Sequence, residues 1–240
     1  MKPLPMPMSD TLIQPAAAVS LHGSLIKRSL YQDYLEALLQ GNRHRCSQLV
    51  NKLLDQGVSL KILYEDLFKK SLYHVGVLWE NNRISVAREH LASSLTESLM
   101  TQVYPLLFKD IPDPKGLVVI SCTANELHQI GGKMVADLLE LNGWDTHFLG
   151  ANTPVDHLIA HVDEIKPDLL GLSLSIYSRL PELIKAIEAV KHHYPQLDIL
   201  AGGQAFLWGG KEVLDHYPST TYIPSLSALE TELSGRIDVS

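Results

Sequence analysis

Long apolar runs are missing from this 240-residue chain. No stretch approaches the roughly 20 apolar residues that a membrane-crossing helix needs. A 45% hydrophobic composition with mean hydropathy near zero is that of an ordinary globular protein. Cysteine is scarce as well. Cys46 and Cys122 fall in different predicted elements, too few and too distant for a disulfide framework, and both read as buried thiols. Positive charge is in short supply: the formal net charge is −7, and basic residues form only short clusters, as at Lys27-Arg28 and Asn42-Arg43-His44-Arg45. Autonomous nucleic-acid binders carry a basic stripe that neutralises phosphates, so direct nucleic-acid binding is not expected and any link to DNA would run through a partner. There is no Gly-x-x-x-x-Gly-Lys-Ser/Thr loop, no Gly-x-Ser-x-Gly elbow and no paired-cysteine zinc motif. Proline is plentiful only at the start, where MKPLPMPMSDTLIQP has four in fifteen residues and no continuous apolar core. Residues 1–23 are therefore expected to form a disordered arm and not a signal peptide, on a soluble cytoplasmic protein.

What is present divides into two halves of different period. From about Ser24 to Phe108 the spacing is helical. Leu30, Tyr34, Leu35, Leu38 and Leu39 make one apolar face that stops at Gly41. Asn42 can cap a second helix carrying Cys46, Leu49, Val50, Leu53 and Leu54, Ser59 a third running to about Trp79, and a fourth begins near Ser85. Residues 24–109 are expected to be a four-helix bundle. A linker at 110–115 follows, and then short strand-like runs alternate with helices over 116–240. Strands are expected at Leu117–Ser121, Thr146–Leu149, Leu169–Leu174, Ile199–Ala201 and Thr221–Ile223. The expected helices are Gly131–Asn142, Val155–Ile165, Leu180–His193 and Gly210–His216, with a last one from Ser225. That alternation predicts a five-stranded parallel, Rossmann-like (flavodoxin-like) domain, so the fold class is α followed by α/β.

In such sheets ligands bind beyond the carboxyl ends of the strands, near the point where strand order switches. This sequence places Glu126-Leu-His128 after its first strand, Ser173-Leu-Ser175 at the end of its third, and Gly202-Gly203 after its fourth. Imidazole is the commonest side-chain ligand of transition metals, and its second nitrogen needs a partner that fixes the tautomer, a role Glu126 can fill. A lone loop histidine can equally cap a helix or pack over the sheet edge.

The combination Glu126-x-His128-x-x-Gly131, Ser173 and Gly202-Gly203 resembles the signature of the cobalamin-binding domain family, over about residues 115–235. The resemblance implies that His128 is the lower axial ligand of cobalt and that Glu126 orients it. It also implies that Gly131, Gly202 and Gly203 leave room for the cofactor's nucleotide tail, with Ser173 hydrogen-bonding that tail or the His–carboxylate pair. Two residues depart from the family pattern: Glu126 stands where aspartate is commoner, and Ser175 stands where leucine is usual.

The helical half adds Trp79 and, after nine intervening residues, Glu89-His90. By composition alone these are a core tryptophan and a solvated helix start. Joined to the downstream motif, the pattern resembles the light-sensing cobalamin regulators of the CarH and LitR type, in which such residues surround the 5′-deoxyadenosyl group on the upper face of cobalt. This resemblance implies a non-enzymatic, cobalamin-dependent photoreceptor using adenosylcobalamin. In it, cleavage of the cobalt–carbon bond by light changes assembly or the binding of a partner such as a transcription regulator. A homo-oligomer is expected, with no membrane association. The MerR-type DNA-binding domain of those receptors is not expected here, and Glu80 replaces the histidine that follows the tryptophan in some of them. Two alternatives stay open: a corrinoid methyl carrier of a methyltransferase system, and a photoreceptor binding a bilin or mixed tetrapyrroles. His157 and His161, four apart on a predicted helix without a third ligand nearby in sequence, read as a solvated helix face.

Overall fold

A computed structural model describes residues 26–107 and 114–237. The expected arm at 1–23 and residues 110–113 of the expected linker lie outside the described residues. The chain separates into two compact units that divide in sequence between Pro105 and Leu106.

In the first unit, α1 (Arg28–Leu39) and α2 (Arg43–Asp55) are joined by a turn in which Gly41 takes φ +70°. Positive φ suits glycine, and a Cβ at this position would also meet the Leu91 side chain at 2.6 Å. The Asn42 side chain accepts a hydrogen bond from the Arg45 N–H at 3.0 Å and caps α2, satisfying one of the N–H groups left over at a helix start. Ser59 does the same for the third helical stretch, accepting from the Ile62 N–H at 3.4 Å.

That third stretch departs from expectation. It runs as α3 (Leu60–Ile62), a π-helical segment (Leu63–Lys69) and α4 (Lys70–Glu80), where the spacing predicts one plain α-helix. The wider turn brings Leu63, Tyr64, Leu67 and Phe68 all into the core, and the Phe68 ring packs 6.0 Å from Tyr34 and 5.9 Å from Tyr64. No glycine or proline in LYEDLFK announces it. After a turn, α5 (Val86–Leu107) sends Leu95, Leu99, Met100 and Val103 into the same core.

The second unit is built on β1 (Leu117–Cys122), β2 (Asp145–Gly150), β3 (Leu169–Ser173), β4 (Asp198–Gly202) and β5 (Thr220–Ile223). All neighbours pair in parallel, in the order β2-β1-β3-β4-β5. Parallel strands buried on both faces read as nearly continuous apolar runs, as LVVISC and LLGLS do. One face carries α6 (Ile130–Leu141), which can lie close because Gly132 packs over the sheet. A Cβ there would meet Phe148 at 3.2 Å, Ser173 at 3.5 Å and Cys122 at 3.6 Å. Helices α7 (Val155–Ile165) and α8 (Leu180–His193) cover Val119, Leu170, Leu172, Ile199 and Ala201 on the other face. A last helix, α9 (Leu226–Ile237), follows β5.

One expected element is corrected. Gly210–His216 is a 3₁₀ segment, Lys211–His216, and a second 3₁₀ segment, Gln204–Trp208, precedes it. Gly203, Gly209 and Gly210 take φ +123°, +118° and +84°, which cuts the connection into pieces too short to nucleate an α-helix.

Candidate functional site

The strand order reverses direction between β1 and β3; Glu126, His128 and Gly131 follow β1, Ser173 ends β3, and Gly202 and Gly203 lie at the end of the neighbouring β4. In the β1–α6 loop, Asn125 takes φ +63°, a conformation asparagine tolerates. Its N–H donates to the Asn152 side chain at 2.7 Å, and the Asn152 N–H donates to the Glu126 carbonyl at 2.8 Å. The loop is thus tied to the segment after β2, and the tie directs the Glu126 side chain inward, where it is 0% exposed.

A fully buried carboxylate is costly unless hydrogen bonds surround it. Glu126 Oε1 accepts from the His128 backbone N–H at 2.9 Å and contacts the His128 ring nitrogen Nδ1 at 2.6 Å. Its Oε2 accepts from the backbone N–H groups of Ser175 at 2.9 Å and Ile176 at 3.0 Å, across the switch point on the β3–α8 loop. Burial pushes the carboxyl pKa up. The hydrogen bonds from the His128 ring and from the backbone of His128, Ser175 and Ile176 outweigh it, bringing the value from 4.5 to about 2. Glu126 is therefore ionised. As an acceptor it favours the His128 tautomer with the proton on Nδ1, the form in which Nε2 carries the lone pair.

The His128 side chain is itself 57% exposed. Among the described residues no group of three His, Cys, Asp or Glu side chains is placed to hold a metal ion. One anchored imidazole does not capture a bare ion, but it suits a metal that arrives with its own equatorial ligands and lacks only an axial one. The surroundings fit such a guest. A Cβ at Gly131 would meet nothing within 4 Å, Leu127 is exposed, and the buried Thr123 hydroxyl has no hydrogen-bond partner.

The other predicted residues are placed as follows. Ser173 is buried at the end of β3, beside Cys122. Gly202 lies so close to the next strand that a Cβ would meet the Ile223 carbonyl at 2.9 Å, and a Cβ at Gly203 would overlap the Leu174 carbonyl. Both glycines thus have a reason within the sheet itself. The leucine-to-serine departure at 175 does not touch the carboxylate contact, which uses the Ser175 backbone. Cys122 and Cys46 are buried free thiols, pushed up by burial to about 12 and about 11, and neither is a nucleophile at neutral pH.

In the helical unit, Trp79 lies in the last turn of α4 and is 45% exposed, unusual for so large an aromatic. Glu89 and His90 lie in the first turns of α5. The Glu89 Oε1 accepts from the Ser93 hydroxyl at 2.8 Å, and its Oε2 stands 3.6 Å from His90 Nε2. Val86 and Leu91 are exposed near them in sequence.

Sequence reasoning missed Asn152 and the N–H groups of Ser175 and Ile176. It also missed a run of exposed apolar residues on the carboxyl-end loops of the sheet: Ile176, Tyr177, Leu207 and Trp208. The sequence signal for these was Tyr177 beside Ser178 and Trp208 beside Gly209.

Comparison with known proteins fits this geometry. Two family models, each described as a B12 binding domain, match residues 30–104 and 116–222. The HTH-type transcriptional repressor CarA of Myxococcus xanthus is 37% identical over 101 residues, covering 42% of this chain and 34% of that protein. This chain thus aligns with about a third of that repressor's length. Dimethylamine corrinoid protein 1 of Methanosarcina acetivorans is 22% identical over 166 residues, 69% of this chain and 78% of that one. Among solved structures, the monomethylamine corrinoid protein of Methanosarcina barkeri shares the fold with a TM-score of 0.76 at 15% identity, over 87% of this chain and 99% of that one. With both of its structural units matched by such models, the chain belongs to the cobalamin (B12)-binding domain family.

Proposed function

We propose that this chain is a cobalamin-dependent sensory protein, a photoreceptor that uses adenosylcobalamin and passes its signal through assembly or a protein partner. The observation that carries the reading is the exposed His128 ring, anchored through Nδ1 to a buried, ionised Glu126. In this reading His128 ligates cobalt through Nε2, and Glu126 fixes the tautomer and ring direction. Gly131 leaves room beside the ring. Ser173, Gly202 and Gly203 shape the edge that receives the nucleotide tail. Trp79, Glu89 and His90 would serve the helical unit in discriminating among the forms of the cofactor. Adenosylcobalamin, when bound, supplies a cobalt–carbon bond that visible light breaks. The protein's part is binding and signalling, not turnover.

The sensory reading is supported by the half-exposed Trp79 and by the pair Glu89-His90 in the next helix. A corrinoid methyl carrier is the second reading. It is favoured by the similarity to a dimethylamine corrinoid protein across 69% of the chain. One experiment separates them. The purified protein is loaded in the dark with adenosyl-, methyl- or hydroxocobalamin, and spectra and elution volume are recorded before and after green light. A sensor binds the adenosyl form and changes elution volume or partner binding on illumination. A carrier instead accepts the methyl form and transfers its methyl group to a partner enzyme, with no light-dependent change of assembly. A bilin would announce itself by an absorption band that cobalamin lacks.

A further inference from the structure

His157 and His161 have no third ligand nearby in sequence, but the fold brings His161 of α7 against His147 of β2. The Nδ1 of His147 and the Nε2 of His161 stand 3.4 Å apart, with ring centroids at 5.6 Å and planes inclined by 37°. We propose that this pair is a second metal site, for a divalent transition ion of the zinc type, on the sheet face covered by α7.

The separation is the argument. Two imidazole nitrogens on one tetrahedral ion, each at about 2.0–2.1 Å, lie roughly 3.3–3.4 Å from one another. A direct N–H···N hydrogen bond prefers a closer approach, about 2.7–3.2 Å by analogy with N–H···O. The atoms nearest each other are ring nitrogens, the ones that bear lone pairs. Both rings are half-buried, which limits their freedom while leaving solvent access. β2 is the edge strand of the sheet, so an ion can enter from the side. His157 lies one turn before His161 on the same side of α7 and is exposed. Asp145 lies two residues before His147 on the same side of β2 and is exposed too. Among the described residues no three such side chains are already gathered round one point. The pair therefore provides two ligands and water the others, which points to affinity in the micromolar range rather than to a permanent structural ion. The residues are distinct from Glu126 and His128, so the site stands or falls independently of the cobalamin reading.

The test is a zinc titration of the purified 240-residue chain by calorimetry in a non-chelating buffer, with and without added cobalamin. One equivalent of Zn2+ is expected to bind in the micromolar range. His147→Ala and His161→Ala should each weaken it about tenfold or more, while His193→Ala, in a second adjacent pair on α8, should leave it unchanged. Truncation at His147 removes bulk from a strand, so His147→Gln and His161→Gln provide a second series. They are expected to show the same loss of affinity with unaltered circular dichroism. Absence of binding below about 1 mM Zn2+, an affinity that survives substitution of either His147 or His161, or loss of binding in His193→Ala would each overturn the proposal.

Discussion

Glu126 holds a charge without any solvent exposure because four N–H donors converge on its two oxygens. Exchanging it for glutamine keeps the shape but turns an –NH2 group toward N–H donors. Glu126→Gln should therefore lose about 1.5–3 kcal/mol of stability, the scale of hydrogen bonds to a charged group, as read by urea unfolding at pH 7. The pH dependence has a definite sign. Because the folded-state pKa is depressed from 4.5 to about 2, Glu126 stabilises the fold fully above about 4.5 and loses that contribution as pH falls toward 2. The stability gap between wild type and Glu126→Gln should accordingly shrink across that window. His74 behaves differently. It is buried in the helical unit, both ring nitrogens lack hydrogen-bond partners, and burial lowers its pKa below 6.5. Its neutral form is the one the fold accepts, so stability is present above 6.5 and falls as pH drops below it. His74→Phe removes two unpartnered polar atoms at similar size. Its thermal midpoint at pH 7 is expected to equal or exceed that of wild type, with a smaller loss between pH 6.5 and 5; a lower midpoint at pH 7 would show that a polar group is required there.

At the scale of elements, the loops after β1, β3 and β4 are held by backbone contacts. Gly203 has φ +123°, and a Cβ there would overlap the Leu174 carbonyl. Gly203→Ala is expected to cost at least about 1–3 kcal/mol in unfolding free energy, whereas Gly131→Ala, with open space around it, should fold normally and show any effect in cobalamin affinity. Much of this architecture was legible in the residues. The alternation of apolar runs with amphipathic stretches marked all five strands, and the bounds of α7 and α8 follow from apolar spacing and from Pro181 in the first turn of α8. The Glu126-x-His128 spacing pointed to a pair that is in contact in the structure. What escaped notice has a common cause. The Ser175 and Ile176 N–H groups carry no side-chain signature and lie about fifty residues from the carboxylate they bind. The His147–His161 contact depends on how α7 lies over β2, which no local period encodes. The π segment of Leu63–Lys69 keeps an apolar pattern compatible with an ordinary helix, so only packing reveals it.

For the molecule as a whole, membership of the cobalamin-binding family joins two units of different construction, one helical and one built on a parallel sheet. No helix among the described residues is long and apolar enough to cross a membrane. The formal charge of −7 disfavours direct contact with phosphates, so a signal of the kind proposed would leave through a protein partner or a second copy. Trp79→Ala is expected to spare cobalt ligation while narrowing the difference in affinity between adenosyl- and hydroxocobalamin, measured by spectral titration; equal loss for every cobalamin form would contradict the role given to Trp79. Cobalt ligation in the proposed reading comes down to Nε2 of His128, and the absorption spectrum of the cobalamin-loaded protein reports on it. Wild type should show histidine-ligated cobalt with the cofactor's own base displaced, and His128→Ala should lose that spectrum while retaining its circular dichroism. A His128→Ala protein whose cobalamin spectrum matched wild type would remove His128 as the cobalt ligand.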